Sequence, residues 1–159
     1  MLDKLLKILN KNAHFGNKEL AAMLNMTENE IAQKIADYEK NGIIRGYKAI
    51  IDWEKADPEL VMALIELKVT PKPNMGFEEI GRILMRYDEV ESVYLMSGGY
   101  DISLVITGKG FKEIANFVSY SLSQIDSVIS TATHFVLSRY KENGIIVCDQ
   151  NTDERNKFE

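Results

Sequence analysis

The densest group of residues able to do chemistry is Ser97-Gly98-Gly99-Tyr100-Asp101. Paired glycines reach backbone angles closed to other residues and leave their amide N–H groups unobstructed, which suits a ligand carboxylate. Asp101 supplies a negative charge that can pair with an ammonium. The same five residues also fit an ordinary hairpin turn, with glycine in the left-handed region and the aspartate capping it. A second group, Glu28, Asn29, Glu30, Gln33, Lys34 and Asp37, recurs at helical spacing. Asn29 and Gln33 carry amides that can read adenine, and Lys34 can read guanine or hold a phosphate. The same pattern arises on the outside of any small three-helix bundle, and its acidic members oppose phosphate binding.

Other chemistries find little footing. His14 and His134 are far apart, and no His-x-x-x-His, Glu-x-x-His or Cys-x-x-Cys pairing exists. No metal site is expected. The single cysteine, Cys148, excludes an intrachain disulfide. Gly108-Lys109-Gly110 lacks the spacing and the terminal Ser or Thr of a Walker loop, and no Gly-x-Ser-x-Gly elbow occurs. No cofactor and no catalytic activity are expected. The seven methionines read as core filler.

These groups sit on two kinds of element. In the first half, Leu2, Leu5, Leu6 and Leu9 recur at helical spacing, with Lys4, Lys7 and Lys11 on other faces. His14-Phe15-Gly16-Asn17 breaks that helix, and Asn17 is placed as the N-cap of a short one carrying Leu20, Ala21 and Leu24. Asn25-Met26 turns the chain. Thr27-Glu28-Asn29-Glu30 fits a capping box that starts a third helix, with Ile31, Ile35 and Tyr38 as its buried stripe and Gly42 just past its end. Ile43 to Asp52 has strand composition, and Trp53 to Pro58 reads as a linker.

The second half changes period. Leu60 to Val69, Val93 to Met96, Ile102 to Thr107 and Val128 to Tyr140 read as strands, and Ile145-Ile146-Val147 as a short last one. Phe77, Ile80, Ile83, Leu84 and Tyr87 describe one helix; Phe111, Ile114, Ala115, Val118 and Leu122 describe another. Thr70 to Asn74, with its two prolines, is a loop. The order is β-α-β-β-α-β, the split βαβ or ferredoxin-like topology. The chain is thus read as α+β: a helix-turn-helix domain at 1–52, a linker at 53–58, an αβ domain at 59–148 and a flexible tail at 149–159.

The 159 residues carry a net charge of −5. Acidity alone argues against nucleic acid, yet it is unevenly spread. Residues 1–57 hold nine Lys and Arg against nine Asp and Glu, so the surplus belongs to residues 58–159. No signal peptide or membrane-spanning run is read, so a soluble, cytoplasmic protein without membrane contact is expected.

Four stretches occur in a specific order: Leu2-Asp3-x-x-Leu6-x-x-Leu9; Asn17-Lys18-Glu19-Leu20-Ala21 through Thr27, Ile31, Lys34-Ile35 to Gly42-Ile43-Ile44-Arg45-Gly46-Tyr47; Val90 through Ser97-Gly98-Gly99-Tyr100-Asp101; and Ile125-Asp126-Ser127-Val128 through Thr131-Ala132-Thr133-His134-Phe135-Val136-Leu137. In this, residues 2–148 resemble the Lrp/AsnC family, the feast/famine transcription regulators. The resemblance implies a winged or hinge-linked helix-turn-helix joined to a ligand-sensing domain. It implies dimers formed through the sheet domain and assembled into tetramers or octamers. It implies double-stranded DNA as partner and a small effector, usually an amino acid, bound between dimers near the glycine loop. By position, Met96, Gly98, Gly99, Tyr100, Asp101 and Thr131 would form the effector site, with Met96 and Thr131 on adjoining strands. Lys18, Thr27, Asn29, Gln33 and Lys34 would meet DNA. Two other readings stand beside it: a ligand-binding and oligomerisation module with weak or lost DNA binding, and a siroheme-decarboxylase-like enzyme, whose His- and Arg-rich segment is missing here.

Overall fold

The computed structural model describes residues 3–73 and 76–148. Leu2, Asn74 and the tail read at 149–159 lie outside them. The chain divides into two compact units, one reaching to Ile50 and joined by Asn143–Ile145, the other built on Ile51–Glu142.

The first unit is three helices: α1 (Lys4–Lys11), α2 (Asn17–Leu24) and α3 (Glu28–Lys40). Leu5, Leu9, Leu20, Ala21 and Ile31 are buried together, with Ile35, Tyr38 and Ile44 packed against them. Burying such side chains contributes roughly 1.5–3 kcal/mol each. The Gly16 amide donates to the Glu19 carboxylate at 2.9 Å, so Gly16 caps α2 and Asn17 is already helical. The reason is the reach of Glu19, which satisfies the amide three positions earlier. Asn25 turns the chain at φ 54°, and the Met26 amide donates to the Ala21 carbonyl at 3.0 Å. The Thr27–Glu30 box forms as read: the Glu30 amide donates to Thr27 Oγ1 at 3.2 Å, and the Thr27 amide to Glu30 Oε2 at 2.8 Å. Helix α3 ends in a Schellman motif. Gly42 takes φ 66°, its amide donates to the Glu39 carbonyl and the Ile43 amide to that of Tyr38.

Residues 43–52, read as strand-like, form no ladder. Their composition suits a sheet, but strand pairing needs a neighbouring backbone, and none among the described residues supplies it. There is accordingly no β-wing in this segment.

The second unit opens with a helical turn, α4 (Trp53–Ala56), inside the segment read as linker; Asp52 caps it. Then come β1 (Leu60–Val69), α5 (Phe77–Leu84), β2 (Val90–Leu95), β3 (Ile102–Lys109), α6 (Gly110–Tyr120) and β4 (Val128–Phe135). The four strands form one antiparallel sheet in the order β2-β3-β1-β4. The two-residue strands β5 (Lys141–Glu142) and β6 (Ile145–Ile146) form a separate hairpin. Strand alternation sends Ala63, Ile65, Leu67, Ile102, Leu104 and Ile106 to one face, where Ile80, Leu84, Ile114 and Phe117 of α5 and α6 cover them. The other face carries Met62, Leu64, Glu66, Lys68, Ser103, Val105, Ser130, Ala132, His134 and Tyr94 by register. Helices α5 and α6 cover the first face and not this one.

Strand β4 stops at Phe135, five residues before the end expected from composition. Phe135 pairs with Ala63, and one more bond joins the Val136 amide to the Met62 carbonyl at 2.9 Å. Beyond that the ladder has no partner, and Leu137 is 89% exposed.

Candidate functional site

The α2–α3 pair presents the face on which the helix-turn-helix reading depends. Opposite the Ile31–Ile35–Tyr38 stripe, Asn29, Gln33, Ala36 and Lys40 follow at i, i+4, i+7 and i+11, and all are exposed. Ala32 is also exposed. The two alanines were not singled out in the sequence. Their shortness lets another surface approach the helix, and an alanine methyl can pack on a thymine methyl. Lys18 is exposed in the first turn of α2. Thr27 is committed locally: its hydroxyl donates to Glu30 Oε2 at 2.8 Å while accepting the Glu30 amide. Thr27 therefore sets where α3 begins.

Lys34 is not a free cation on this face. It shares the side of α3 that carries Ile31 and Tyr38, and its Nζ lies 3.1 Å from Asp3 Oδ2. Tyr38 donates its hydroxyl to the same oxygen at 2.7 Å, and the Leu5 amide donates to Asp3 Oδ1 at 2.7 Å. The Tyr38 hydroxyl, then the Lys34 ammonium and the Leu5 amide, hold the Asp3 carboxyl at about 2. The hydrogen bonds that Lys34 and Tyr38 each donate to Asp3 push both of their values up. Lys34 thus fastens the start of α1 to the middle of α3. The partner of its charge in this fold is Asp3.

The glycine loop joins β2 to β3. The Met96 amide donates to the Asp101 carbonyl at 2.8 Å, closing the loop at its base. Ser97, Gly98 and Gly99 are exposed, and Gly98 takes φ 156°. The Gly98 and Gly99 amides meet no internal acceptor among the described residues. A Cβ at either glycine would meet nothing within 4 Å, so the space above the loop is open.

Asp101 has work inside the fold. Its Oδ2 accepts the Val69 amide at 2.9 Å, just where the β1–β4 register shifts between Lys68 and Val69. Its Oδ1 lies 3.8 Å from Lys68 Nζ, which also donates to the Gly99 carbonyl at 3.3 Å. Lys68 is the residue that reading the chain missed. The only signal for it was an unpaired cation inside the run Leu60–Val69. What results is a carboxylate and an ammonium side by side against the glycine loop, with side chains 24% and 47% exposed. That pairing complements a zwitterion.

Thr131 is not beside Met96. The rungs Leu95–Ile102, Ile102–Leu67 and Leu67–Thr131 cross the whole sheet. At about 4.8 Å per strand, the β2 and β4 ends of that row are about 14 Å apart. The strand order, with β2 and β4 on opposite edges, is why the expectation of adjoining strands fails.

A trihelical unit with a capped, exposed third helix, next in sequence to a βαββαβ sheet unit with an open glycine loop, defines a helix-turn-helix protein with a ligand-binding-type domain. The profile of the Lrp/AsnC ligand-binding domain matches residues 62–146. The chain is 44% identical over 153 residues to the HTH-type transcriptional regulator YugG of Bacillus subtilis, covering 96% of this chain and 92% of that one. It is 25% identical over 144 residues to the leucine-responsive regulatory protein of Haemophilus influenzae, covering 91% and 86%. Among solved structures, the transcriptional regulator NMB0573 of Neisseria meningitidis in complex with L-Met superposes with a TM-score of 0.72 at 23% identity, over 89% of this chain and 94% of that one. The chain belongs to the Lrp/AsnC family of helix-turn-helix transcriptional regulators.

Proposed function

We propose that the protein binds double-stranded DNA through α3, with Asn29 and Gln33 at base edges and Lys18 at a phosphate, and that an amino acid bound at the glycine loop modulates this. The observation that carries the effector reading is the Lys68–Asp101 pair against the exposed loop of Gly98 and Gly99. An α-carboxylate fits Lys68 and the amides; an α-ammonium fits Asp101. The structure of the Neisseria regulator as its L-Met complex supports an amino acid as the class of ligand. Met96 and Tyr100 flank the loop and would meet the ligand side chain. Thr131 would contribute only across a subunit boundary, given its place on the far edge.

The open sheet face supports a homodimer. Leu64 is 42% exposed and Tyr94 53%, with Met62 and Val105 alongside. A second copy would cover this apolar strip, and further assembly to tetramers or octamers would place loops at dimer boundaries. Binding of the effector shifts the balance between assemblies that hold DNA differently.

Footprinting on the gene's own upstream region tests the DNA reading. A protected, periodic set of half-sites is expected for the native chain. The Asn29→Ala, Gln33→Ala double variant is expected to lose that protection while keeping its oligomeric state. Unchanged protection would remove α3 as the reading helix.

A further inference from the structure

The face of α3 is poor in positive charge. Glu28, Glu30, Asp37 and Glu39 stand on that helix against Lys34 and Lys40, and Lys34 is tied to Asp3. Phosphate attraction must come from elsewhere in the three-helix unit, because affinity for a duplex rests on neutralised phosphates. Helix α1 is the complementary case. Lys4, Lys7 and Lys11 follow at i, i+3 and i+7, all are exposed, and α1 holds no carboxylate. No ion pair joins these three to a carboxylate among the described residues. They face away from Leu5 and Leu9, which are buried against α2 and α3.

We propose that Lys4, Lys7 and Lys11 form a phosphate-binding strip for the DNA backbone, supplying the sequence-independent affinity that α3 lacks; this rests on the DNA-binding reading above. Lys4 and Lys11 are about 10 Å apart along the axis at about 1.5 Å per residue. One strand of a duplex carries a phosphate about every 3.4 Å of axis, so about three phosphates span the strip. Placement is fixed as well. Asp3, the residue before Lys4, is held by Lys34 and Tyr38, so the strip begins one residue from its anchor on α3. The two helices divide the labour: α3 reads, α1 holds.

The test is the salt dependence of DNA binding by the full chain, followed by fluorescence anisotropy on an upstream duplex and on a random one. Each neutralised phosphate contributes about 0.9 to the slope of log K against log salt. The Lys4→Gln, Lys7→Gln, Lys11→Gln variant is expected to lose about 2.7 of slope per bound domain, with the same fold-loss of affinity on both duplexes. The single Lys7→Gln variant is expected to lose about 0.9. A triple Lys→Arg variant at the same positions is expected to keep the native slope. A control removing Lys109, Lys112 and Lys141 changes net charge equally and is expected to leave the slope unchanged. An unchanged slope in the α1 variant, or an equal loss in the control, overturns the strip. So does a loss explained by altered sedimentation, which would assign the lysines to a contact between copies. Absence of any binding by the native chain at low salt overturns the DNA reading itself, and the strip with it.

Discussion

Asp3 accepts three hydrogen bonds, from the Leu5 amide, the Tyr38 hydroxyl and the Lys34 ammonium. It caps one helix and anchors it to another at the same time. Replacing it with alanine is expected to cost about 1 kcal/mol from the lost cap alone, measured by urea denaturation at neutral pH. Its acid dependence has a definite sign. The folded carboxyl titrates near 2 and the unfolded one near 3.8, so the folded state holds fewer protons in that interval. The contribution is complete above 3.8 and is lost as pH falls through about 2. Asp3→Asn is expected to flatten the acid limb of stability in that window; an unaltered limb would show that the carboxylate is not held there. Asp101 calls for similar care. Alanine at this position orphans the Val69 amide at a register shift, costing about 1–3 kcal/mol. Asp101→Asn keeps an acceptor and removes the charge. It is expected to retain near-native thermal stability while losing the shift given by an amino acid. A retained shift would reduce Asp101 to a turn residue. Neither role was legible in the chain, because both pairings join residues more than thirty positions apart. A lysine on a helix and an aspartate in a turn look free until the packing of α1 on α3, or the register of β1, is known.

The elements were far more legible than the partners of their charges. The apolar run Leu60–Val69 and the helical spacing from Phe77 are local signals; the strand forms over that run, and the helix forms but ends at Leu84, before Tyr87. The Thr27 box and Gly42 fix both ends of α3 for the same reason: each uses hydrogen bonds reaching only three to five residues. What failed were stretches whose strand character depends on a neighbour, residues 43–52 and 136–140. Thr27→Ala is expected to cost about 1 kcal/mol and to fray the start of α3, where Asn29 sits. Amide exchange at Glu30 and Ile31 reads this directly, and unaltered protection there would contradict the cap's importance. Ile31, fully buried, is a harsher site: Ile31→Ala is expected to cost roughly 2–5 kcal/mol, with loss of the three-helix core before the sheet.

At the scale of the whole molecule, charge is partitioned. The acidic surplus belongs to residues 58–159, and the helical half is balanced, with Asp3, Glu19 and Glu30 spent on caps and on Asp3's anchor. In the proposed homodimer two such units would engage two half-sites, which raises affinity without new contacts. The open sheet face is the surface proposed for that assembly. Leu64→Asp with Val105→Asp is expected to give a folded monomer by sedimentation, with DNA affinity falling far more than for any single contact. A dimer that persists would move the interface elsewhere. Above all, an amino acid is expected to govern how this family member holds DNA. Binding isotherms of the full chain on labelled upstream duplex at low salt, each repeated with one of the twenty amino acids, test this most directly. Saturable binding whose midpoint one amino acid, or a related few, displaces at least several-fold is the expected result. No binding at low salt, or binding indifferent to every amino acid, contradicts it.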